Sequence, residues 1–215
     1  MELLLATTNP HKLDGVREAS RGSGVAWVGL ETVAERLRKP LPPEPVEDAD
    51  TFEANARTKA EAYAAWSGLP TASDDSGLVV HALDGAPGVH SARYAGVDGP
   101  RGIKDAANNA KLLLELERRG LERPDAAFAC ALVLVRPGSA TLSVRGEVPG
   151  RIVTTPRGTH GFGYDPYFEL DERTPALAGR TTAELTEAEK STISHRGEAV
   201  RALLNRLLEE QTPAP

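Results

Sequence analysis

The sequence predicts an α/β fold built on a mixed sheet, and two features of the chain carry this prediction. In the first half, short apolar runs alternate with helix-like segments, which is typical of strands joined by helices. After residue 125, three strand-like runs follow one another with only turn residues between them, which indicates an antiparallel section. Together these features favour a mixed sheet over a purely parallel one. A chain of 215 residues is long enough for one domain with a substantial core.

The chain opens with an apolar run that is followed by a helix-start signal. ELLLAT at 2–7 is a short apolar run before turn residues and predicts a buried strand. Asn9 and Pro10 suit the N-cap and the first position of a helix. The buried face of that helix would carry Leu13, Val16 and Ala19. VAWVGL at 25–30 predicts the second strand.

A loop and a longer helix are predicted next. Residues 39–50 are rich in proline and acidic side chains, so we expect a loop on the surface. Thr51 suits the start of a helix that runs to about Trp66, because Gly68 and Pro70 follow as helix-ending residues.

Strand and helix signals continue towards the C-terminus. GLVVHAL at 77–83 predicts a strand, followed by a Gly/Pro loop and an amphipathic helix over 103–119. The three strand-like runs are AAFACALVLV (126–135), ATLSVRGEV (140–148) and GRIV (150–153). A last helix is expected over about 194–210. We interpret 1–210 as a single domain and expect the tail, 211–215, to fray.

Charge and cysteine content exclude several classes of protein. The net charge is −6 and the pI about 5.5, so general attraction to nucleic acid phosphates is not expected. The single cysteine, Cys130, excludes an intramolecular disulfide and a thiolate metal cluster. The longest apolar run, 126–135, is shorter than the roughly 18 residues that span a bilayer, and the N-terminal LLLA is too short for a signal sequence. We expect a cytoplasmic protein without nucleic acid or membrane partners.

The stretch SDDSGL, residues 73–78, places two carboxylates side by side. Asp74 and Asp75 repel each other unless a positive charge neutralises them. With the upstream pair Glu47–Asp48 they supply hard oxygen ligands without thiolates, which suits Mg²⁺, with Mn²⁺ as the alternative. We therefore expect a divalent cation to face SDDSGL.

Two cations fall on apolar faces of predicted helices. Lys59 lies in the middle of an apolar stripe on the helix from Thr51, with Asn55 at its edge. Either its ammonium group meets an anion there or it reaches solvent at the rim. Arg196 falls on the apolar side of the last helix and in its first turn, where the helix dipole disfavours a cation. Either it binds an acceptor-rich ligand or it forms an intramolecular salt bridge.

Two further motifs suit a nucleotide. TTNPHK at 7–12 joins a strand to a helix start, whose free N–H groups and Lys12 favour an anion, although a plain turn is the alternative. GFGYDP at 161–166 combines glycines, two aromatic residues and Asp165. It either stacks a ring or forms a tight turn with core aromatics. The charges suggest a metal and phosphate, and the aromatic residues suggest a base.

With these motifs in this order, the chain resembles the inosine-triphosphate pyrophosphatases. The resemblance is carried by LLLATTNPHKLDGVRE (3–18), TFEANARTKA (51–60), SDDSGLVVHALDGAPGVHSARYAG (73–96), GFGYDPYF (161–168) and AELTEAEKSTISHRGEAVRAL (183–203). It implies an elongated mixed-sheet α/β fold with two lobes around a central cleft, usually a homodimer. It also implies Mg²⁺-dependent hydrolysis of the purine nucleotides ITP, dITP or XTP to the monophosphate and pyrophosphate.

The resemblance implies roles for individual residues as well. Glu47 and Asp75 would hold the metal, Asp75 would take a proton from the attacking water, and Lys59 would balance phosphate charge. The residues implied to bind the substrate are Thr7, Thr8, Asn9, Pro10, His11 and Lys12 at the triphosphate, Ser76 at the nucleotide, Phe162, Gly163, Tyr164 and Asp165 at the face of the base, and Lys190, His195 and Arg196 at its edge.

Alternatives remain for the metal ligand and for the function. Because the acidic loop aligns loosely with the family, Glu44, Asp48 or Asp74 could replace Glu47. A Maf-like nucleotide pyrophosphatase is an alternative enzyme, but TTNPHK lacks the serine-proline-arginine-arginine opening of that family. A catalytically silent nucleotide-binding protein is disfavoured, because binding alone does not need an unfavourable pair of like charges.

Overall fold

The computed structural model describes residues 1–211, in which strands and helices alternate. The strands are β1 (Glu2–Leu5), β2 (Ala26–Gly29), β3 (Thr71–Val80), β4 (Asp125–Val135), β5 (Leu142–Ile152) and β6 (Phe168–Leu170). The α-helices are α1 (Pro10–Ala19), α2 (Leu30–Leu37), α3 (Phe52–Ser67), α4 (Arg101–Arg118), α5 (Glu187–Thr192) and α6 (His195–Gln211). The predicted α/β class is confirmed. The tail predicted to fray lies outside the described residues except for its first residue.

One mixed sheet contains the strands in the order β2-β1-β3-β4-β5-β6. β1 pairs in parallel with β2, where Leu4 lies opposite Val28, and with β3, where Leu4 lies opposite Thr71. β5 pairs antiparallel with β6, where Arg151 lies opposite Glu169. The prediction of a mixed rather than a purely parallel sheet is therefore confirmed.

The chain forms two compact units, each of them discontinuous in sequence. The first unit comprises Met1–Asp75, Cys130–Gly146 and the segment from His195 onward. The second unit comprises Ser76–Ala129 and Glu147–Ser194. Strands β3, β4 and β5 each contribute residues to both units, so the division falls within strands rather than in a linker.

In the first unit, apolar residues cover both faces of β1. Leu3 and Leu5 pack in a cluster with Val16 of α1 and with residues of α6. Leu4 points the other way and packs in a second cluster with Tyr63 of α3. Because both faces are covered, this strand is a continuous apolar run rather than an alternating one.

The core of the second unit joins α4 to the sheet. Leu78 of β3, Leu112 and Leu116 of α4, and Phe168 of β6 belong to one cluster and have no exposed surface. The ring of Phe168 also lies against that of Phe128, with 4.4 Å between the ring centroids. The predicted helix is confirmed in α4, but its expected apolar face was wrong. Ile103 is 58% and Leu114 43% exposed, whereas Leu112 and Leu116 supply this core.

Two predicted helix starts form through the expected capping bonds. The N–H of His11 donates to Asn9 Oδ1 at 3.0 Å, which makes Asn9 the N-cap of α1. The N–H of Ala54 donates to Thr51 Oγ1 at 3.2 Å, which caps α3. Beyond the other end of α3, Gly68 has a φ of 72°, a left-handed conformation that glycine adopts without strain.

Two helices, α2 and α5, were not predicted from the sequence. The N-cap of α2 is Gly29, whose missing side chain makes no capping bond. α5 has only 6 residues, which is too short to show a helical period.

β3 begins at Thr71, well before the predicted start at residue 77. The polar residues that precede the predicted strand are buried within it, with Ser73 at 0% and Asp74 at 1% exposure. The strand ends at Val80, because the chain turns into a short 3-10 helix over His81–Leu83.

β5 is one continuous strand where the sequence predicted two runs, 140–148 and 150–153, divided at Pro149. A side chain on Gly150 would place its Cβ 2.4 Å from Glu169 O and 2.7 Å from Phe168 Cζ. This glycine therefore allows the close approach of β6 and does not mark a turn.

Candidate active site

Asp74 and Asp75 lie in β3, where successive side chains point to opposite faces of the strand. Asp75 faces α3, because Asn55 Nδ2 donates to Asp75 Oδ2 at 3.0 Å. Asp74 faces α1 and α6, which supply the cations described below. The expectation that one divalent cation faces both carboxylates needs correction, because the pleat of the strand separates them.

Asp74 is neutralised by two cations of the protein itself. Lys12 Nζ donates to Asp74 Oδ2 at 3.1 Å. Arg196 donates to the same oxygen from Nε at 3.1 Å and from Nη2 at 3.0 Å. Of the two alternatives left open for Arg196, the structure therefore contains the intramolecular salt bridge.

The cations around Asp74 keep its carboxyl group ionised. Burial alone would raise the pKa of Asp74, but the attraction of Arg196, Lys12 and Lys59 outweighs it and lowers the pKa well below the ordinary 3.8. Asp74 therefore stays ionised at neutral pH. Its second oxygen, Oδ1, is buried and has no hydrogen-bond partner among the described residues, so this carboxylate keeps unused acceptor capacity.

Lys59 and Asn55 lie one helical turn apart on α3 and hold a second group of carboxylates. Lys59 Nζ donates to Asp74 O at 2.9 Å and lies 2.9 Å from Glu47 Oε2. Asn55 accepts from Ala49 N at 3.0 Å while it donates to the Asp75 carboxylate. Lys59 is only 7% exposed, so it meets an anion rather than reaching solvent, as one of the two open alternatives predicted.

The start of α1 places exposed residues beside Lys12, although the N–H groups of Asn9, His11 and Lys12 are bonded within the turn. Thr7 Oγ1 accepts from Asn9 N at 3.1 Å, which fixes the turn after β1. The side chains of Thr8, Asn9, Pro10 and His11 are exposed. A helix start with exposed residues and a nearby ammonium group has the chemistry of an anion site.

The carboxylates Glu47 and Asp75 fit a magnesium ion better than a metal that needs a complete protein cage. No group of three or more His, Cys, Asp or Glu side chains suited to a metal occurs among residues 1–211. Mg²⁺ usually uses one or two carboxylates and completes its shell with water and substrate phosphates. Of the alternative ligands, Glu44 and Asp48 are exposed and Asp74 is paired with cations, whereas Glu47 is drawn to α3 by Lys59.

In the second unit, Asp165 organises the loop that contains GFGYDP. Asp165 Oδ2 accepts from Phe162 N at 2.8 Å and from Lys190 Nζ, while Thr182 Oγ1 donates to Oδ1 at 2.8 Å. Asp165 is 4% exposed. Both of its oxygens are therefore engaged within the loop and its neighbours, and its predicted contact with a base stays a prediction.

The two aromatic residues of this loop have different surroundings. Phe162 is 61% exposed, whereas Tyr164 is 6% exposed and belongs to the core of the second unit. Tyr164 Oη donates to Ser91 O at 2.9 Å, and burial raises the pKa of its phenol. Of the two alternatives left open by the sequence, Tyr164 is a core aromatic, whereas stacking by the exposed ring of Phe162 stays a prediction.

Gly161 lies directly against the Asp165–Lys190 ion pair. A Cβ at this position would lie 2.1 Å from Asp165 Oδ2 and 2.6 Å from Lys190 Nζ, and the φ of Gly161 is 79°. Lys190 lies on α5, next to Glu189, which forms a capping box with Thr186 at the start of that helix. Glycine is thus required for both space and backbone conformation at residue 161.

His195 and Arg196 begin α6, whose position depends on a glycine in β5. A Cβ on Gly146 would lie 2.2 Å from His195 O and 2.4 Å from Ala199 N. The first turn of α6 can therefore approach the strand only where a side chain is missing. Ser76 follows Asp75 in β3 and is the first residue of the second unit.

Sequence reasoning missed a row of residues on α4 that contact this loop. Asp105 Oδ2 accepts from Gly163 N at 3.1 Å, and Asn109 Nδ2 donates to Gly163 O at 2.9 Å. The guanidinium carbon of Arg101 lies 3.9 Å from the centroid of the Phe162 ring. Their spacing of four residues was the available signal, since it places them on one face of a helix.

The predicted site residues thus fall into two groups. The first unit brings together Lys12, Glu47, Lys59, Asp74, Asp75 and Arg196, which we call the charged cluster. The second unit brings together Phe162, Gly163, Asp165 and Lys190, which we call the aromatic loop. The charged cluster suits a metal-bound polyphosphate, and the aromatic loop suits a flat ring.

In the part of the chain that the structure describes, two observations exclude a nucleophilic cysteine and a membrane-spanning helix. Burial raises the pKa of the Cys130 thiol to about 12, so it is not a nucleophile at neutral pH. Among residues 1–211, every helix is too short or too polar to span a bilayer.

Comparisons with known proteins agree over almost the whole chain. The model of the Ham1 family matches residues 3–206. A dITP/XTP pyrophosphatase of Geobacter sulfurreducens is 45% identical over 95% of this chain and 96% of its own length. A dITP/XTP pyrophosphatase of Frankia alni is also 45% identical, over 99% of this chain and 100% of its own length.

Solved structures have the same fold. A HAM1 protein from Coxiella burnetii superposes with a TM-score of 0.82 at 37% identity, covering 97% of this chain and 99% of that protein. A nucleoside-triphosphatase described as a dITP/XTP pyrophosphatase, from Mycobacterium abscessus, superposes with a TM-score of 0.71 at 42% identity, covering 96% and 100%.

Proposed function

The chain belongs to the Ham1 family, and from this premise we infer that it is a nucleoside-triphosphate pyrophosphatase. It hydrolyses the non-standard purine nucleotides dITP, ITP and XTP to the monophosphate and pyrophosphate, and so removes them from the nucleotide pool. The observation that supports this function most directly is the charged cluster. There the buried Asn55 and Lys59 of α3 contact two carboxylates from outside that helix, Asp75 and Glu47.

The metal we propose is Mg²⁺, held by Glu47 and Asp75, with Mn²⁺ as the alternative. When bound, Mg²⁺ would neutralise phosphate oxygens and make the phosphorus open to attack. Asn55 and Lys59 would orient the two carboxylates, because each of them contacts one of the proposed ligands.

Asp75 is the group that we assign to proton abstraction from the attacking water. Its Oδ2 is oriented by the amide of Asn55, which donates a hydrogen bond to it. A positioned carboxylate of this kind typically contributes about 10²–10⁴-fold to the rate. Asp74 does not share this role, because its charge is already committed to Lys12 and Arg196.

The polyphosphate needs positive charge, because it carries close to four negative charges. We assign it to the start of α1, from Thr7 to Lys12, together with Lys59. Lys12, Lys59 and Arg196 balance the three carboxylates of the charged cluster, so a bound Mg²⁺ would supply the positive excess that attracts such a ligand. The lysines would stabilise charge that develops on the leaving pyrophosphate.

The aromatic loop is the part that we assign to the base. Phe162 would stack on the purine ring, with Gly163, Tyr164 and Asp165 forming the rest of that wall. Lys190, His195 and Arg196 would read its edge, and Ser76 would contact the nucleotide. A 6-oxo purine presents an acceptor where adenine presents an amino donor, so donor side chains favour the first over the second.

We further propose that the protein is a cytoplasmic homodimer. The cytoplasm is where a house-cleaning enzyme meets the nucleotide pool. The single cysteine, buried as a thiol, is compatible with a reducing compartment. Sedimentation of the purified protein over a range of concentrations measures the oligomeric state.

One assay tests the proposed function against its alternatives. Pyrophosphate release is measured from ITP, dITP, XTP, dATP, dGTP and dTTP, each with and without Mg²⁺. We expect release from the first three nucleotides only when Mg²⁺ is present. A preference for dTTP or other pyrimidine nucleotides would favour a Maf-like enzyme, and tight binding of ITP without release would favour a silent binding protein.

A further inference from the structure

Three polar residues of α4 contact the aromatic loop, and none of them has a role in the reaction proposed so far. Arg101, Asp105 and Asn109 are spaced four residues apart and therefore lie along one face of the helix. Their contacts all involve Phe162 or Gly163, at the tip of the loop.

Asp105 and Asn109 fix both backbone polar groups of Gly163. Its N–H donates to Asp105 Oδ2 at 3.1 Å, and its carbonyl accepts from Asn109 Nδ2 at 2.9 Å. Gly163 has a φ of 60°, and nothing lies within 4 Å of the place where a Cβ would be. The conformation of Gly163 is thus held by the two side chains of α4 and not by packing.

Arg101 covers one face of the Phe162 ring. Its guanidinium carbon lies 3.9 Å from the ring centroid, which is a cation–π contact. Its Nε lies 3.7 Å from the same Asp105 Oδ2 that binds Gly163. One carboxylate oxygen therefore steadies both the backbone after Phe162 and the cation over its ring.

We propose that Arg101, Asp105 and Asn109 are positioning residues that hold Phe162 ready to stack on a purine. Arg101 restricts stacking to the opposite face of the ring, and Lys190 Nζ also lies 5.7 Å from the ring centroid. The inference rests on the proposed function, because it requires Phe162 to be the residue that stacks.

The physical reason is the cost of ordering an exposed ring between two glycines. Phe162 is 61% exposed and lies between Gly161 and Gly163, which allow many backbone conformations. If only a fraction of the molecules holds the ring correctly, the apparent dissociation constant rises by the inverse of that fraction. Substrate that binds is then turned over normally, so this role changes KM and leaves kcat unchanged.

The test measures KM and kcat for ITP in Asp105→Ala and in the milder Asp105→Asn, with Arg101→Ala as a third variant. We expect KM to rise about ten-fold in Asp105→Ala, because the loop would hold Phe162 correctly only about a tenth of the time. We expect kcat to stay within about two-fold of the unaltered enzyme. Glu117→Ala and Arg118→Ala remove equivalent charges from exposed positions of the same helix and should leave both constants unchanged.

A double-mutant cycle separates positioning from a general loss of stability. In a Phe162→Ala background, Asp105→Ala should raise KM no further, because the ring that it positions is gone. An additive increase in that background, or an unchanged KM in both Asp105 variants, overturns the inference. A fall in kcat with unchanged KM would mean a smaller active fraction and also overturns it. If the unaltered protein releases no pyrophosphate from ITP, the proposed function fails instead.

Discussion

At the residue scale, two neighbouring aspartates have different partners because their side chains point to opposite faces of β3. Asp75 faces α3 and is oriented by Asn55, whereas Asp74 is buried against Lys12 and Arg196. Two carboxylates on the same side of the chain would repel each other. In β3 the two side chains point apart, and each carboxylate has its own partners.

Asp75→Asn should abolish hydrolysis while nucleotide binding persists. The amide cannot accept a proton from water, so we expect kcat to fall by at least about 100-fold. Steady-state kinetics with ITP gives the rate, and calorimetric titration with ITP gives the affinity. Asp98→Asn, at an exposed position outside the charged cluster, is the matched control. Near-normal turnover in Asp75→Asn would remove the residue from its proposed role.

Asp74→Asn should destabilise the protein in a pH-dependent manner. Removing one partner of a buried ion pair leaves Arg196 and Lys12 without their counter-charge, which costs about 3–5 kcal/mol at neutral pH. The pKa of Asp74 is lower in the folded state than the ordinary 3.8, so its contribution is complete above that value and is lost as the pH falls below it.

Urea unfolding at pH 7, 5, 4 and 3 measures this effect. The difference in unfolding free energy between the unaltered protein and Asp74→Asn should be constant from pH 7 to 5. Below pH 3.8 it should shrink by about 1.4 kcal/mol for each pH unit. A difference that stays constant down to pH 3 would contradict the lowered pKa.

At the element scale, single helices deliver several functional side chains at once. α3 carries Asn55 and Lys59 one turn apart, and each of them contacts a different carboxylate. The start of α6 carries Arg196, and the missing side chain of Gly146 allows that turn to lie close to β5. The position of an element, rather than the conformation of one side chain, therefore decides whether these groups meet.

Gly146→Ala should displace the first turn of α6 and reduce both stability and activity. The new Cβ would meet backbone atoms of His195 and Ala199, which cannot turn aside. Overpacking of this kind costs about 1–3 kcal/mol. Because the shift would pull Arg196 from Asp74, we expect kcat/KM for ITP to fall about ten-fold, for a loss near 1.4 kcal/mol.

Gly15→Ala is the matched control for this substitution. Gly15 lies in α1 with nothing within 4 Å of the added atom, so alanine should stabilise the protein by about 0.4–1 kcal/mol. Thermal unfolding compares the two variants. Equal melting temperatures and equal activities for both would contradict the close-approach role of Gly146.

At the scale of the whole molecule, the two compact units share strands β3, β4 and β5. If one unit unfolds, it disorders part of each shared strand. The rest of that strand, in the other unit, is then weakened as well. We therefore expect the units to unfold together.

Phe168→Ala tests this cooperativity. Phe168 lies in the core of the second unit, and its loss should cost about 3–5 kcal/mol. Both tryptophans of the chain, Trp27 and Trp66, lie in the first unit. Tryptophan fluorescence and far-UV circular dichroism should report one transition with the same lowered midpoint. An unchanged fluorescence midpoint would mean that the units unfold independently.

Local chemistry made much of the fold predictable. Asn9 and Thr51 are capping residues whose bonds depend only on their immediate neighbours, so α1 and α3 begin where the sequence predicted. α2 lacks such a signal, and the Pro149–Gly150 step imitates a turn. Both were misjudged because packing against other elements, which no short window contains, overrides local preference.

For the site, the sequence by itself determined the inventory: the paired aspartates, the lysines on α1 and α3, and the aromatic loop. It also indicated the family, because these motifs occur along the chain in the same order as in the family. Only the tertiary structure decided that Asp74 pairs with Arg196, which lies 122 positions away, and that Asp105 steadies the aromatic loop. Such pairings depend on the distance between elements in space, and side-chain charge alone does not specify a partner among many residues of the opposite sign.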